Sequence, residues 1–404
     1  MADFDIRGVR EDFPILSKKI EGNQLVYFDN AATSQRPRQV IDGIKYFYEN
    51  INANPIRSIH RLAEEANEAY ESARGKIAKF INAYPDEIVF VKNATEAINL
   101  VSFALPFDKG DHILTTYLEH HSNLIPWLRL RDKGVGVDLV DIDQNFELDM
   151  GGFNSVSEGT KLVAFTHGSN VTGTITDAER ISKLAHDSGA MVLIDAAQTV
   201  PHMKIDVKKI NPDFLAFSGH KMLGPFGIGV LYVNRRVFGR EKPFLTGGEM
   251  ISNVKMDSIK YADMPGFFEA GTQNIEGAYG LGLAVDYLNS IGMDRIAAHD
   301  KELTDYLYDG VKGIDGVHIY SGRSHERGPI LSFTVKNAHS HDVAYLLNKK
   351  GIAVRSGFQC AQPLVEDKLH AVGGTARASL YLYNTQEEID RFLSELKNIT
   401  KMYG

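Results

Sequence analysis

Along the first 290 residues, short apolar runs rich in β-branched side chains alternate with longer stretches whose apolar positions recur every three or four residues. Residues 88–91, 112–115, 136–140, 162–166, 191–195, 214–217 and 229–233 predict strands. Each is nearly continuously apolar, as a strand becomes when helices cover both faces of a mostly parallel sheet. Helical spacing is predicted over 59–81, 96–104, 177–188 and 277–291. The alternation predicts an α/β fold. Beyond residue 290 the texture changes. Helices are expected over 303–311, 341–350 and 385–402, and strands over 329–335, 352–355 and 378–383, which predicts a smaller α+β lobe onto which the opening segment 9–20 packs. The expected division is a large domain over 25–288 and a small one over 1–24 and 289–404, since 404 residues exceed what one hydrophobic core organises.

Composition narrows the function classes. With 44 basic and 52 acidic residues the formal net charge is −8, and no basic run stands out. That argues against a nucleic-acid platform, whose affinity rests on Lys and Arg neutralising phosphates. No uncharged apolar stretch reaches the ~20 residues needed to span a bilayer. Asp3 and Asp5 stand where a signal peptide carries bases, so a soluble cytoplasmic protein is expected. The single cysteine, Cys360, can form no internal disulfide, which suits a reducing compartment. Taken alone, Cys360 reads either as a small buried hydrophobe or as a nucleophile.

Two strand ends carry the candidate chemistry. Val192-Leu-Ile-Asp195-Ala-Ala-Gln198 puts an acid at the C-terminal end of a buried strand, where α/β sheets bind ligands. Phe217-Ser218-Gly219-His220-Lys221 puts a lysine directly after the next apolar strand, a candidate imine former if its surroundings lower its pKa. Separately these read as a helix cap and a solvated loop lysine. Together they supply what pyridoxal phosphate needs: an amine for the Schiff base, and an acid that keeps the ring nitrogen protonated. Gln198 can donate to the ring's phenolate oxygen. The passage from strand 88–91 through Asn93-Ala94-Thr95 into a helix offers free N–H groups to a phosphate, with Ser218 and His220 closing the cup from the lysine side. In Glu119-His120-His121-Ser122-Asn123 an imidazole is flat enough to stack on a pyridine ring; no metal site is expected there. The glycines at 224–229 follow Lys221 and lack the strand-to-helix placement of a dinucleotide loop.

Asp195-Ala-Ala-Gln198, Ser218-Gly-His220-Lys221-Met-Leu-Gly-Pro225 and Phe268-Glu-Ala-Gly-Thr272 resemble the class V aminotransferase family of pyridoxal-phosphate enzymes. Glu119-His120-His121-Ser-Asn-Leu-Ile-Pro-Trp127 and Val354-Arg355-Ser-Gly-Phe-Gln-Cys360-Ala-Gln-Pro363 bring the likeness close to its SufS-type (group II) cysteine desulfurases, with selenocysteine lyases and aminotransferases as the alternative. The resemblance implies the fold type I transferase architecture, with a large mostly parallel-sheet domain and a smaller α+β domain. Residue by residue, it implies Lys221 as the Schiff-base lysine, Asp195 at the ring nitrogen, Gln198 at the phenolate and His120 over the ring. Ala94, Thr95, Ser218 and His220 match phosphate ligands, and Thr272 matches one contributed by the other subunit of a homodimer. Asn170 matches a residue beside cofactor and substrate, Ala31 a substrate contact, and Arg377 the clamp on the substrate carboxylate, a task that suits a guanidinium fork. Cys360 matches the nucleophile that takes sulfur from L-cysteine as a persulfide, leaving L-alanine. An acceptor protein of SufE or SufU type would receive the sulfur for iron–sulfur cluster assembly. The short spacing from Arg355 to Arg377 favours the SufS type. Three places depart from the family pattern: Ile56 stands where a histidine is usual, Phe358 and Gln359 replace two histidines before the cysteine, and Asn93 replaces a glycine that opens the phosphate loop. Asn93 is expected to tolerate left-handed backbone angles there. His339 and His341 are expected at an exposed helix N-terminus, where His341 could meet a metal-bearing acceptor.

Overall fold

The computed structural model describes residues 5–55, 59–157, 159–322 and 327–404. Among these the largest sheet has seven strands: β1 (Ile88–Val91), β2 (His112–Thr116), β3 (Gly136–Val140), β4 (Thr160–Thr166), β5 (Met191–Asp195), β6 (Phe214–Ser218) and β7 (Gly229–Val233). Their order is β1-β7-β6-β5-β4-β2-β3. β7 runs antiparallel to both neighbours and the other pairings are parallel. The continuous apolar runs have a simple cause: side chains alternate between two faces, both dry. Ile88, Phe90, Val192, Ile194, Leu215 and Phe217 enter one core, whereas Val89, Val91, Leu193, Phe214 and Ala216 enter the other. α1 (Arg38–Asn50) and α2 (Arg61–Phe80) cover the first face, α3 (Ala94–Ala104) the second, and α4 (Ala178–Asp187) and α5 (Ile275–Ile291) again the first.

A second, antiparallel sheet comprises β8 (Val317–Ile319), β9 (Ile330–Val335), β10 (Arg355–Gly357) and β11 (Thr375–Ser379) in the order β8-β9-β11-β10. It packs with α6 (Met293–Lys312), α7 (Ser340–Asn348) and α8 (Gln386–Tyr403) around a core of its own. Val26 and Phe28 belong to that core, because Val26–Tyr27 pairs in parallel with Ile352–Ala353.

Several expectations shift. The run 352–355 is divided between that short pairing and β10. The strand expected over 378–383 ends at Ser379; Leu380–Tyr383 leave the sheet as a buried turn, in which the Tyr381 hydroxyl donates to the Pro201 carbonyl at 2.9 Å. The opening segment does not rest on the smaller unit alone. Arg10 pairs with Glu388 at 2.9 Å, while Phe13 and Leu16 enter the first core and the Phe13 ring meets Tyr287 and Tyr383. Asn93 has φ −173°, ordinary extended backbone, so no left-handed tolerance is called upon; instead it caps α3, its Oδ1 accepting from the Glu96 N–H at 2.9 Å. Among the described residues no helix is long and apolar enough to cross a membrane.

Candidate active site

A cavity of about 210 Å³ opens at the C-terminal ends of β5 and β6. Asp195 is the last residue of β5, and Lys221 ends the single turn that follows β6. Because β5 and β6 are parallel neighbours, acid and amine reach the same space. Asp195 is nearly sealed, with Oδ1 accepting the Ala197 N–H at 3.0 Å. Burial raises its pKa, while Lys221 and that N–H work against the rise. Burial lowers the Lys221 pKa to about 8, with Asp195 as the main opposing influence.

The floor is built at the start of α3. The Ala94 N–H donates to the Ser218 hydroxyl at 2.9 Å. The Thr95 hydroxyl shares a 2.6 Å hydrogen bond with Ser122, whose own hydroxyl lies 3.0 Å from His120 Nδ1. The Ser122 N–H also donates to that nitrogen, so His120 carries its proton on Nε2. Burial, and next the Lys221 charge, push the His120 pKa down to about 3. His220 is lowered to about 4, by burial and then by Lys221 and Arg36. Its Nδ1 is buried without a partner among the described residues, and His220 lines the cavity. Gln198 spends one N–H on the Ala31 carbonyl at 2.9 Å and keeps a second.

The second sheet supplies the opposite wall. Arg377 donates to the Asn170 carbonyl at 2.9 Å and to Asp29 at 3.2 Å, and its Nε is buried with no partner among the described residues. Burial drops its pKa to about 10, with Asp29 opposing. Arg355 faces Arg377 across the β10–β11 register and also lines the cavity. Cys360 is exposed at the cavity edge. The loop that carries it starts where Gly357 and Gly374, both at positive φ, touch backbone to backbone; a Cβ on Gly374 would lie 2.5 Å from the Gly357 carbonyl carbon.

The cavity therefore gathers Ala31, Ala94, Thr95, His120, Asn170, Asp195, Gln198, Ser218, His220, Lys221, Cys360 and Arg377 on one surface. Thr272 is the exception: it is exposed and does not line the cavity of its own chain. Ile56 lies outside the described residues. Phe358 packs at the first core, and Gln359 lines the cavity. Sequence reasoning passed over Asp29, the acid beside Arg377, although an acid closing the apolar run 25–28 is the same signal that singled out Asp195. It also passed over Glu119, wholly buried behind His120, which accepts from Thr116, Asn123 and the Thr166 N–H at 2.5, 2.6 and 2.9 Å. Burial raises its pKa to about 8 against those three donors. Among the described residues no group of three or more His, Cys, Asp or Glu side chains could hold a metal ion.

A family model described as Aminotransferase class-V matches residues 26–392. A probable cysteine desulfurase of Synechocystis sp. is 46% identical, over 98% of this chain and 96% of its own. A cysteine desulfurase of Haloferax volcanii is 40% identical, over 99% and 98%. Among solved structures, the apo cysteine desulfurase of Thermococcus onnurineus aligns with a TM-score of 0.94 at 40% identity, and the cysteine desulfurase CsdA of Escherichia coli with 0.91 at 31%, each over 100% of both chains.

Proposed function

The chain belongs to the class V aminotransferase family and is a cysteine desulfurase that works with pyridoxal phosphate, and we propose that it takes the sulfur of L-cysteine onto Cys360 as a persulfide, in the SufS manner. The observation that carries this reading is the meeting, in one cavity, of the Asp195–Lys221 pair from one sheet with Arg377 and Cys360 from the other.

The residues fit the cofactor. The unpartnered His220 Nδ1, the first turn of α3 and the hydroxyls of Thr95 and Ser218 suit a phosphate. Asp195 suits a protonated ring nitrogen, the spare Gln198 N–H a phenolate, His120 the ring face, and Lys221 the aldehyde. When bound, the cofactor withdraws electrons from the substrate's α-carbon. The protein's own part follows from the site. Arg377 offers its free Nε to the substrate carboxylate, with Asn170 and Ala31 beside it. Lys221 would take the α-proton on Nζ, for which burial prepares it by lowering its pKa to about 8. His120, neutral, holds a transferable proton on Nε2. The Cys360 thiolate attacks the substrate sulfur: the S–S bond forms, the substrate C–S bond breaks, and its electron pair stays with the carbon fragment, which gains protons and leaves as L-alanine.

The reading extends to a homodimer whose sites each receive Thr272 of the partner subunit, to an acceptor of SufE or SufU type, and to iron–sulfur cluster assembly as the destination. One thiol in 404 residues suits a reducing compartment, hence the cytoplasm. The deciding experiment measures alanine from purified holoenzyme given L-cysteine and a thiol reductant, beside Cys360→Ala. Alanine from the wild type and none from the variant, with cofactor absorbance equal in both, is expected. Equal alanine from both removes Cys360 from the chemistry; none from either turns the test to selenocysteine.

A further inference from the structure

Gln359 and Cys360 are consecutive non-glycine residues in the left-handed region, at φ 53° and 56°. Side chains there crowd the backbone, so the pair persists only where surrounding groups hold it. Three bonds do so. The Asn170 amide donates to the Gln359 carbonyl at 2.6 Å. The His121 N–H donates to the Cys360 carbonyl at 2.6 Å. The Gln362 N–H donates to His121 Nε2 at 3.0 Å. One residue thus grips the loop twice on the C-terminal side of the nucleophile, by its backbone at the Cys360 carbonyl and by its imidazole two residues on, while Asn170 holds the N-terminal side. His121 also follows His120 directly in the turn that enters the cavity, their rings 6.4 Å apart.

Resting on the desulfurase reading above, we propose that His121 is the positioning residue of the cysteine loop: its Nε2, as acceptor, keeps Gln359 and Cys360 left-handed and so holds the thiol at the cavity edge. The bond requires an unprotonated Nε2 with the proton on Nδ1. Burial lowers the His121 pKa below the ordinary histidine value, which favours that form at neutral pH. Without the imidazole bond the loop relaxes toward less crowded angles. Cys360 then spends more time in solvent and less time facing the cavity.

This separates two rates that a loss of general stability moves together with cofactor content. Cys360 is the only thiol, so its alkylation reports on the loop alone. In holoenzyme without cysteine, His121→Ala is expected to speed iodoacetamide alkylation about three- to tenfold, the worth of one neutral hydrogen bond. With L-cysteine, kcat for alanine falls by a similar factor, while KM stays within about twofold because Arg377 still binds the carboxylate. His121→Gln, whose Oε1 can accept from the Gln362 N–H, returns both rates to near the wild type. Wild-type alkylation and kcat in His121→Ala would overturn the proposal, as would a glutamine variant with normal cofactor content and melting temperature that recovers neither rate. If the wild type makes no alanine, the functional reading fails, yet alkylation still decides what His121 does to the loop.

Discussion

Burial moves the ionisable groups of this cavity in a direction that suits proton transfer. Lys221 comes down to about 8 while His120 and His220 go down to about 3 and 4, so near neutrality the two imidazoles are uncharged and the amine is within reach of its neutral form. The neutral amine is the nucleophile, so the fraction able to capture an aldehyde rises as pH climbs through the Lys221 pKa and levels off above it. The rate at which cofactor-free protein takes up pyridoxal phosphate, followed by absorbance, should therefore rise with a midpoint near pH 8 and flatten by about pH 9.5. A rate still climbing toward 10.5, the ordinary lysine value, would show that the cavity does not tune Lys221. At this scale the sequence was most legible for residues that end strands: Asp195 and Lys221 announce themselves because an ionisable group directly after an apolar run has nowhere dry to go. Roles defined by contact with distant backbone, such as that of the His121 imidazole on the Gln362 N–H, leave no mark in the order of side chains.

Among the elements, a buried ion pair joins α2, β1 and the segment leading to Thr272. Arg74 donates to both oxygens of Glu269, at 2.8 and 2.9 Å, and to the Ile88 carbonyl at 2.7 Å. Glu269 also accepts from Tyr70 at 3.0 Å and from the Phe90 N–H at 2.7 Å. Burial opposes charge on Arg74, but Glu269 outweighs it and holds the guanidinium protonated. Arg74→Met leaves Glu269 as an uncompensated buried charge and should cost about 3–5 kcal/mol. The double variant with Glu269→Gln should recover part of that loss, read from the urea midpoint of unfolding. A single variant as stable as the wild type would mean the pair is not the clasp of this segment. The seven strands were legible because both faces of the sheet are dry. α1 was not, since only Val40 and Phe47 of its thirteen residues are buried, and exposed Ile41, Tyr46 and Tyr48 blur its period. The hairpin formed by Ile251–Lys255 and Ser258–Tyr261 is almost wholly exposed and shows no inward face to read. Leu380–Tyr383 misled in the other direction, because a buried turn and a buried strand have the same apolar composition.

For the whole molecule, the site lies where the two sheets meet, and one of its expected members is missing from it. Asp195 and Lys221 come from the first sheet, Arg377 and Cys360 from the second, yet Thr272 is exposed and outside its own cavity. If Thr272 of the partner subunit completes each phosphate cup, the two faults can be placed on different chains and cancelled. Lys221→Ala abolishes the site of the chain that carries it. Thr272→Glu sets a negative charge against the phosphate of the opposite site. Each homodimer should then be inactive or nearly so. In a mixed dimer from co-expression, the chain bearing Thr272→Glu keeps its own Lys221 and receives an intact Thr272 from the other chain, so one complete site is rebuilt. Alanine production should reappear in the mixture, with the cofactor bound at the rebuilt site. If Thr272 instead serves its own chain, every site in the mixture carries one fault or the other and no activity returns. Recovery of activity would thus establish both the dimer and the direction in which its subunits share the cofactor.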